Sequence, residues 1–549
     1  MPPQSTLATS ARLPIDIRRF PWIKRLAVDY AFAYDSLAGF FAGDPRQAEA
    51  WRGAVARAQQ QPRQRDAVAD LVLAQQRRRG APAAAEAAAV QLRDPQTVAV
   101  VTGQQAGLFG GPLFTLLKAT TAIRLAARVR EEQRVPAVAV FWIDAEDHDW
   151  DEVKQIGAFD ADLAVHPIAV GDPPGAGAGP VARVQLDGSI DQAIEELTRV
   201  LPPGDFTPAL VASLRLAYHP GAGMAHAFGQ WIESVLGPHG LIVYDASDPA
   251  AKPLAAGVFA HEVEHAGDTA RLASEAGAAL QAKGYHAQVT PQDGSVALFQ
   301  ISGGREAIRR QGDGFQIGDS PCSKADLLAR VRRSPEEFSP NVLLRPLVQD
   351  TLFPTACYVA GPNELAYLGQ LGRIYDAFGI PMPLMFQRTS ATLVDSNAMR
   401  FLAKHNFPLE SLRAQDEAAL NQLLESQLPP GVDASLEDAA RLIQARMDTL
   451  AGEVTQIDPT LEGATRSTLG RMQDDLKKLH NKIIQAAKRK DETLRRQFTH
   501  AQAQAFPGGH PQEREIGFIY FLNQHGPGLV ERLGDELTLD MGTHWVVSI

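Results

Sequence analysis

The stretch that decides the fold runs from residue 97 to residue 151 and reads TVAVVTGQQAGLFGGPLFTLLKATTAIRLAARVREEQRVPAVAVFWIDAEDHDWD. It contains two apolar runs, Thr97–Val101 and Ala137–Ile143, joined by an amphipathic segment from about Leu113 to Arg130. Apolar runs joined by a helical crossover are typical of parallel strands that are buried on both faces. Such a unit is right-handed, so the polar segments after the two strands meet at the carboxyl edge of one sheet. We therefore predict an α/β enzyme with its site at that edge.

The first polar segment, Thr102–Pro112, is rich in glycine and lies directly before the predicted helix. Free N–H groups at a helix start attract anions, and consecutive glutamines supply amide donors and acceptors. Close packing of strand on helix is the alternative reason for the glycines. Lys118, further along the helix, either belongs to this site or is a surface lysine. The candidate binding residues of this segment are Thr102, Gly103, Gln104, Gln105, Gly110 and Gly111.

The second polar segment places several carboxylates around His148 at the end of the second strand. They are Asp144, Glu146, Asp147, Asp149 and Asp151. Their mutual repulsion requires a positive partner, which is the amino group of a substrate, Mg²⁺, or a protein arginine such as Arg345 or Arg388. A solvated acidic loop is the alternative, but the neighbouring Trp142 and Trp150 favour a functional site. The candidate catalytic residues are Gln104, Asp147, His148 and Asp149.

Bulk composition narrows the class of protein. The 549 residues, 45% of them hydrophobic and 21% charged, predict a soluble chain with more than one structural unit, and no apolar run is long enough to span a bilayer. The two cysteines, Cys322 and Cys357, predict a reducing cytoplasm and argue against a zinc site, because no metal-ligand spacing surrounds them. A net charge of −11 argues against nucleic acid as a partner.

Composition and periodicity divide the chain into six segments. They are an N-terminal helical layer (1–90), the first part of the core (91–155), a connecting insertion (156–236), the rest of the core with a small antiparallel insertion (237–405), an antiparallel helical coiled coil (406–505), and a C-terminal segment that packs back on the body (506–549). Alternating residues in 286–290 and 295–302, around Pro291–Gly294, predict a β-hairpin. Apolar residues spaced by four and three over 436–461 and 469–486 predict the coiled coil.

Four further stretches carry a resemblance to a known family. They are LIVYDASDP (Leu241–Pro249), FSPNVLLRPLVQD (Phe338–Asp350), YVAGPNELAY (Tyr358–Tyr367) and RTSATL (Arg388–Leu393). With the two polar segments, they resemble the cysteine-adding enzymes of bacillithiol biosynthesis over most of the chain. The resemblance implies a Rossmann-type parallel-sheet core like that of class I aminoacyl-tRNA synthetases, with connecting insertions and a C-terminal coiled coil. It also implies a homodimer.

The reaction implied by the resemblance joins cysteine to glucosaminyl-malate. ATP or ADP is the expected cofactor, because direct amide formation in water is unfavourable, and Mg²⁺ is a candidate cation. The His-x-Gly-His signature of class I synthetases is replaced here by Leu108–Pro112, so ATP chemistry at this core does not follow from the fold. His148 or a neighbouring carboxylate is the candidate base. The expected substrate-binding groups are Asn341, Arg345, Gln349, Asp350, Asn363, Glu364 and Arg388.

The place of the nucleotide stays open between the glycine-rich crevice and a pocket beside the coiled coil. Its candidate residues are Gly110, Gly111, Ser390, Tyr520 and Asn523. Two other functions are compatible with the sequence: a nucleotidyltransferase with another acceptor, and a nucleotide-binding dimeric scaffold without catalysis.

Overall fold

The computed structural model describes residues 12–301, 304–426, 430–490 and 492–549. The chain forms two compact units. One extends to Leu393 and resumes from Pro511 to Ile549, and the other is Val394–His510.

The centre of the first unit is a five-stranded, fully parallel sheet. In chain order its strands are β1 (Val98–Gln105), β2 (Ala137–Asp144), β3 (Leu241–Asp245), β4 (Thr355–Ala360) and β5 (Leu384–Gln387). They lie in the spatial order β3-β2-β1-β4-β5. The order therefore reverses between β1 and β4, and open α/β sheets bind ligands at such a switch point. The predicted Rossmann-type core is confirmed.

The first strand is longer than the sequence predicts. It continues to Gln105, which pairs with Asp144 of β2. Thr102, Gly103 and Gln104 therefore lie on the strand rather than in a loop, because β2 provides partners along its whole length. Helix α1 (Leu113–Gln133) follows after a short turn.

The other elements of the first unit surround this sheet. Its N-terminal helices are Arg25–Phe32, Ala48–Gln60, Arg65–Arg79 and Ala83–Gln91. Between β2 and β3 lie helices Trp150–Val153, Ser189–Val200, Thr207–Ala217 and Met224–Leu236 and the strand pair Gln155–Phe159 and Val165–Ala169. Later helices are Lys252–Glu264, Asp268–Ala282, Lys324–Arg333, α2 (Arg345–Leu352), α3 (Glu364–Leu368) and Gly372–Phe378. Among the described residues, no helix is both long enough and apolar enough to cross a membrane.

The predicted hairpin over 286–302 is wrong. Strand Ser295–Ile301 pairs instead with Arg305–Gln311 and Phe338–Pro340, in a sheet completed by Gly314–Ile317 and Ser320–Cys322. The backbone before Pro291 is held by a side chain, because Gln370 accepts from the amide of Val289 (3.0 Å) and donates to its carbonyl (2.8 Å). A side-chain amide thus takes the place of a partner strand.

The C-terminal segment returns to the core sheet. It contains helices Gln512–Glu515, Phe518–His525 and Leu529–Glu536 and strand Thr543–Ser548. That strand lies between Arg12–Asp16, with which it pairs antiparallel, and Ser390–Val394. The carbonyl of Ile516 accepts a hydrogen bond from the amide of Leu113 (2.8 Å), at the first position of α1. The segment therefore borders the switch point.

The second unit is helical. Its helices are Ser396–His405, Ala418–Ser426, α4 (Pro430–Val454), α5 (Leu461–Lys490) and Glu492–Ala505. The two long helices pack as an antiparallel pair, in which Gln473 donates to Gln444 (2.6 Å). Within the predicted heptad pattern, Leu469 is buried, whereas Leu450, Ile457, Met472 and Leu479 are exposed on this single chain.

The buried carboxyl group of Glu262 predicts a pH dependence of stability. It is 1% exposed, and it accepts hydrogen bonds from Thr269 (2.5 Å) and from the amide of Ala297 (2.7 Å). Burial raises the pKa of Glu262 from 4.5 to about 7. The folded protein thus keeps a proton that the unfolded chain releases between these values, so the stability falls as the pH rises through this window.

We therefore expect Glu262→Gln to raise the free energy of unfolding at pH values above the folded pKa by up to about 3 kcal/mol. Near pH 4.5, where Glu262 is protonated in the folded protein and half protonated in the unfolded chain, the variant and the wild type should differ by less than about 0.5 kcal/mol. Urea unfolding at both pH values measures the effect. Glu264→Gln is the matched control, because this neighbour is exposed and should change stability by less than about 0.5 kcal/mol. Equal effects of the two substitutions would contradict the argument.

Candidate active site

A crevice with two lobes opens at the carboxyl edge of the core sheet, where β1, β2 and β4 end. The first lobe, beside Lys118 and Glu364, has a volume of about 300 Å³, and the second, beside Gly111 and Thr115, about 350 Å³. Five residues line both lobes: Gln104, Gln105, Phe114, Glu152 and Arg514. The first lobe brings together seven of the residues predicted from the sequence: Gly103, Gln104, Gln105, Arg345, Asn363, Glu364 and Arg388.

Lys118 is buried, with only 3% of its side chain exposed, because its ammonium group turns from α1 towards the ends of β1 and β4. Its Nζ lies 2.5 Å from Oε1 of Glu364 and donates to the carbonyl of Gly103 (2.8 Å) and to Oε1 of Gln104 (3.2 Å). Burial acts to raise the pKa of Glu364, but the ammonium of Lys118, together with the amide of Gly361 and the guanidinium of Arg345, outweighs burial and holds that pKa below its ordinary value. The interpretation of Lys118 as a surface lysine is wrong, and its three acceptors hold the first lobe together.

Arg345 begins α2 and lies between two aromatic rings. Its guanidinium carbon is 5.9 Å from the ring centroid of Trp142 and 5.7 Å from that of Tyr358. Its Nε is 3.8 Å from Oδ2 of Asp144, and one terminal nitrogen donates to Gln349 (3.2 Å). The guanidinium is therefore fixed in orientation while it lines the first lobe.

Asp144 is the last residue of β2 and lines the first lobe. Its side chain keeps 35% of its surface open to the crevice, yet the surrounding protein desolvates the carboxylate and raises its pKa above the ordinary value. The guanidinium of Arg345 opposes this effect. A carboxylate with a raised pKa in a cleft is a candidate general base.

Each carboxylate of the acidic segment has its own partner. The pairs are Asp144 with Arg345, Glu146 with Lys252, Asp147 with Arg305, Asp149 with the backbone amide of Glu152, and Asp151 with Lys154. The protein itself supplies the positive partners that the sequence predicts, and Arg345 is one of them, whereas Arg388 is not. Within the described ranges, no group of three or more His, Cys, Asp or Glu side chains is placed to hold a metal ion.

The three acidic-segment residues predicted to be catalytic lie beside the crevice. Asp147 accepts from Gln105 (3.0 Å) and is 3.5 Å from Arg305. Nδ1 of His148 is 3.2 Å from Oδ1 of Asp147, and 63% of the His148 side chain is exposed. Asp149 caps the helix Trp150–Val153. None of the three is among the residues that line either lobe.

Arg388 is anchored by a carboxylate from the C-terminal segment. Its two terminal nitrogens donate to the two oxygens of Glu513 at 2.9 and 2.7 Å, and its guanidinium lies 5.5 Å from the ring centroid of Phe114. Burial acts to raise the pKa of Glu513, but Arg388, together with His544 and Ser390, outweighs burial and lowers that pKa to about 2. Ser390 donates to Glu513 (3.0 Å) and contacts Nδ1 of His544 (2.7 Å), so its hydroxyl belongs to this buried network.

Four predicted substrate ligands lie behind the crevice wall. Thr102 donates to the carbonyl of Val359 across β1 and β4 (3.0 Å). Asn341 accepts from the backbone amides of residues 343 and 344, before α2. Gln349 and Asp350 are buried and bonded to each other (2.9 Å), and burial raises the pKa of Asp350. These four side chains therefore make structural contacts. One of these contacts, between Gln349 and Arg345, reaches a residue that lines the crevice.

The predicted nucleotide residues are dispersed. Gly111 lines the second lobe, whereas Gly110 is packed so closely that a β-carbon there would lie 2.4 Å from the ring of Phe518. Asn523 is buried, accepts from Thr207 (2.8 Å) and donates to the carbonyl of Pro202 (2.8 Å). Tyr520 packs edge-on against the ring of Phe159.

In the turn before α1, three of the amides predicted to attract an anion are bonded within the protein. The amide of Leu113 donates to Ile516, and the amides of Gly110 and Gly111 donate within the turn. These donors are therefore occupied by the chain itself. Close packing, the alternative reason for the glycines, applies at Gly110, where a β-carbon would meet the ring of Phe518.

Sequence reasoning missed four residues with polar side chains that line the first lobe: Glu152, Tyr358, Tyr367 and Arg514. Tyr358 and Tyr367 belong to the YVAGPNELAY stretch, so their place beside Glu364 was a usable signal. Arg514 is far from the strand ends in sequence, and only the return of the C-terminal segment brings it to the crevice.

Comparisons with known proteins agree with this architecture. The Rossmann-like N-terminal domain of the bacillithiol biosynthesis protein BshC matches residues 13–389, and its C-terminal coiled-coil domain matches residues 391–549. The chain is 34% identical over all of its length to the full-length "Putative cysteine ligase BshC" of Salinibacter ruber. It is also 34% identical to the proteins of that name from Koribacter versatilis, over 87% of this chain and 88% of the relative, and Chlorobaculum tepidum, over 81% and 82%. The predicted ligase class agrees with these names, and the chain belongs to the BshC family of bacillithiol biosynthesis.

Proposed function

We propose that this chain is a ligase that joins the carboxyl group of L-cysteine to the amino group of glucosaminyl-malate in bacillithiol biosynthesis. The observation that carries the proposal is the pairing of Arg345 with Asp144 in the first lobe, near the switch point of the sheet. The guanidinium is suited to bind a carboxylate, and the carboxylate is suited to accept a proton from an amine. The names of the relatives support the same reaction class.

In this proposal Arg345 binds a carboxylate of the malyl group. Its planar fork matches two carboxylate oxygens, and the rings of Trp142 and Tyr358 hold that plane. Only 10% of its side chain is exposed, so solvent screens a bound anion weakly. The amides of Gln104 and Asn363 line the same lobe and offer donors and acceptors for sugar hydroxyls.

Asp144 is the proposed base. The amine of the acceptor must lose a proton as it attacks the activated carboxyl carbon of cysteine, and a carboxylate with a raised pKa takes that proton more readily. His148, the base considered from the sequence, is mostly exposed and lines neither lobe.

ATP is the proposed co-reactant, because amide formation from a carboxylate and an amine in water is unfavourable. One phosphoanhydride bond is cleaved for each amide bond formed. AMP as the product would indicate an adenylate, and ADP would indicate an acyl phosphate. Three amides of the turn before α1 are bonded within the protein, so no residue is assigned to the nucleotide or to Mg²⁺. The homodimer expected from the resemblance and the cytoplasmic location expected from the two cysteines belong to the same proposal.

Calorimetry with glucosaminyl-malate tests the acceptor site. We expect the wild type to bind it, and Arg345→Ala to weaken binding by about tenfold to a hundredfold, because a charge-assisted contact is lost. Arg271→Ala is the matched control, since this arginine lies on the exposed face of helix Asp268–Ala282 and should leave the affinity unchanged. If the wild type does not bind glucosaminyl-malate, the scaffold function is favoured. If Arg345→Ala binds it as tightly as the wild type does, the acceptor binds elsewhere.

A further inference from the structure

The cationic side chains that line the crevice do not all have a carboxylate partner among the described residues. Three cations that line the first lobe are paired with carboxylates: Lys118 with Glu364, Arg345 with Asp144, and Arg388 with Glu513. A fourth cation, Arg514, lines both lobes. In the part of the chain that the structure describes, its guanidinium has no carboxylate within ion-pair distance.

The backbone that carries Arg514 is firmly held. Gln512 is buried and brackets Leu393, accepting from its amide (2.8 Å) and donating to its carbonyl (2.7 Å). Glu513 accepts both terminal nitrogens of Arg388. These bonds hold the two residues before Arg514 against the segment Arg388–Leu393. The backbone of Arg514 therefore has a fixed position beside the crevice.

The side chain of Arg514 has a platform as well. Its guanidinium carbon lies 5.7 Å from the ring centroid of Phe114, a residue that also lines both lobes. Stacking on an aromatic ring satisfies one face of a guanidinium and leaves its N–H edge free for a planar or tetrahedral oxyanion. A surface arginine without a function would need neither an anchored backbone nor a platform.

We infer that Arg514, stacked on Phe114 at the junction of the two lobes, binds an anionic group of a substrate. This role rests on the proposed function. The group that Arg514 binds is a carboxylate or a phosphate, because both present oxygens that a guanidinium recognises. Glutamine at this position would keep a hydrogen-bonding amide but lose the charge and the fork. Glu152 lines both lobes with it and limits the positive potential there, which favours a specific contact over general attraction of anions.

Calorimetry of the full chain with L-malate, L-cysteine and ADP as separate probes tests the inference. We expect Arg514→Gln to weaken binding of at least one probe by about tenfold to a hundredfold, and Arg514→Lys to weaken it less. The affected probe names the source: L-malate or cysteine for a carboxylate, ADP for a phosphate. Arg271→Gln, an exposed arginine outside the crevice, should bind all three probes like the wild type.

Two outcomes would overturn the inference: a wild type that binds none of the probes, and an Arg514→Gln variant that folds and binds each of them as the wild type does. A ligation assay separates this failure from failure of the proposed function. If the wild type forms product and Arg514→Gln has an unchanged KM for every substrate, the ligase stands and the role of Arg514 fails. If the wild type forms no product but Arg514→Gln loses binding of a probe, the anion site stands and the ligase fails.

Discussion

Replacing Asp144 by asparagine is expected to lower kcat for ligation by about 10²-fold to 10⁴-fold, the contribution of a positioned general base. Asparagine keeps the size of the side chain and a carbonyl oxygen that faces Arg345, but it cannot take up a proton. The KM for glucosaminyl-malate should change by less than about tenfold, because Arg345 and Asn363 remain in the first lobe. Steady-state kinetics measure both constants, and a kcat close to that of the wild type would exclude Asp144 as the base.

The pH profile of kcat provides an independent check. A base acts when it is ionised, and burial raises the pKa of Asp144 above 3.8. The wild-type kcat should therefore fall as the pH falls through a value above 3.8, and this acid limb should vanish in Asp144→Asn. Asp147→Asn is the matched comparison, because Asp147 belongs to the same acidic segment but lines neither lobe. It should keep the acid limb, and a profile that changes only in Asp147→Asn would favour the assignment made from the sequence.

The location of the crevice was predictable because it depends on local patterns. Apolar runs of strand length identify β1 and β2, and the handedness of the crossover brings both strand ends to one edge. Gln104, Gln105 and Asp144 follow from that argument alone. Arg345 and Glu364 came from the family resemblance, and their place in the first lobe could not be derived from β1 and β2.

The roles of individual side chains were less predictable, because neighbouring residues in one motif point in different directions. Arg345 lines the first lobe, while Gln349 and Asp350, one helical turn later on α2, are buried behind it. Lys118 could equally be a surface residue by its sequence, because its partner Glu364 is distant along the chain. An ion pair between two segments has no local signature, so it is visible only once β1 and β4 are neighbours.

The position of Arg514 at the crevice was even less predictable from the sequence. The aromatic C-terminal segment was expected to pack on the body, but no sequence pattern specified which residue would reach the crevice. The contacts of Gln512 with Leu393 and of Glu513 with Arg388 decide it, and both depend on the position of the segment after β5.

Replacing Lys118 by methionine is expected to destabilise the protein by about 3–5 kcal/mol, because it leaves the carboxylate of Glu364 without its cation in a site that is mostly shielded from water. The carbonyl of Gly103 and the amide oxygen of Gln104 lose their donor in the same step. Urea unfolding measures the loss. A loss below about 1 kcal/mol would show that water enters the site freely and that the pair is not desolvated.

The double substitution Lys118→Met, Glu364→Gln separates the cost of an unpaired charge from the loss of positioning. It removes both charges, so we expect it to regain at least about half of the stability that Lys118→Met loses. Activity should remain low, because Gln104 still lacks the ammonium that fixes its side chain in the first lobe. Recovery of stability without recovery of KM would mean that the pair contributes to substrate binding, through Gln104 or through Glu364 itself, beyond neutralising a charge. Recovery of both would mean that its charge serves only to neutralise Glu364.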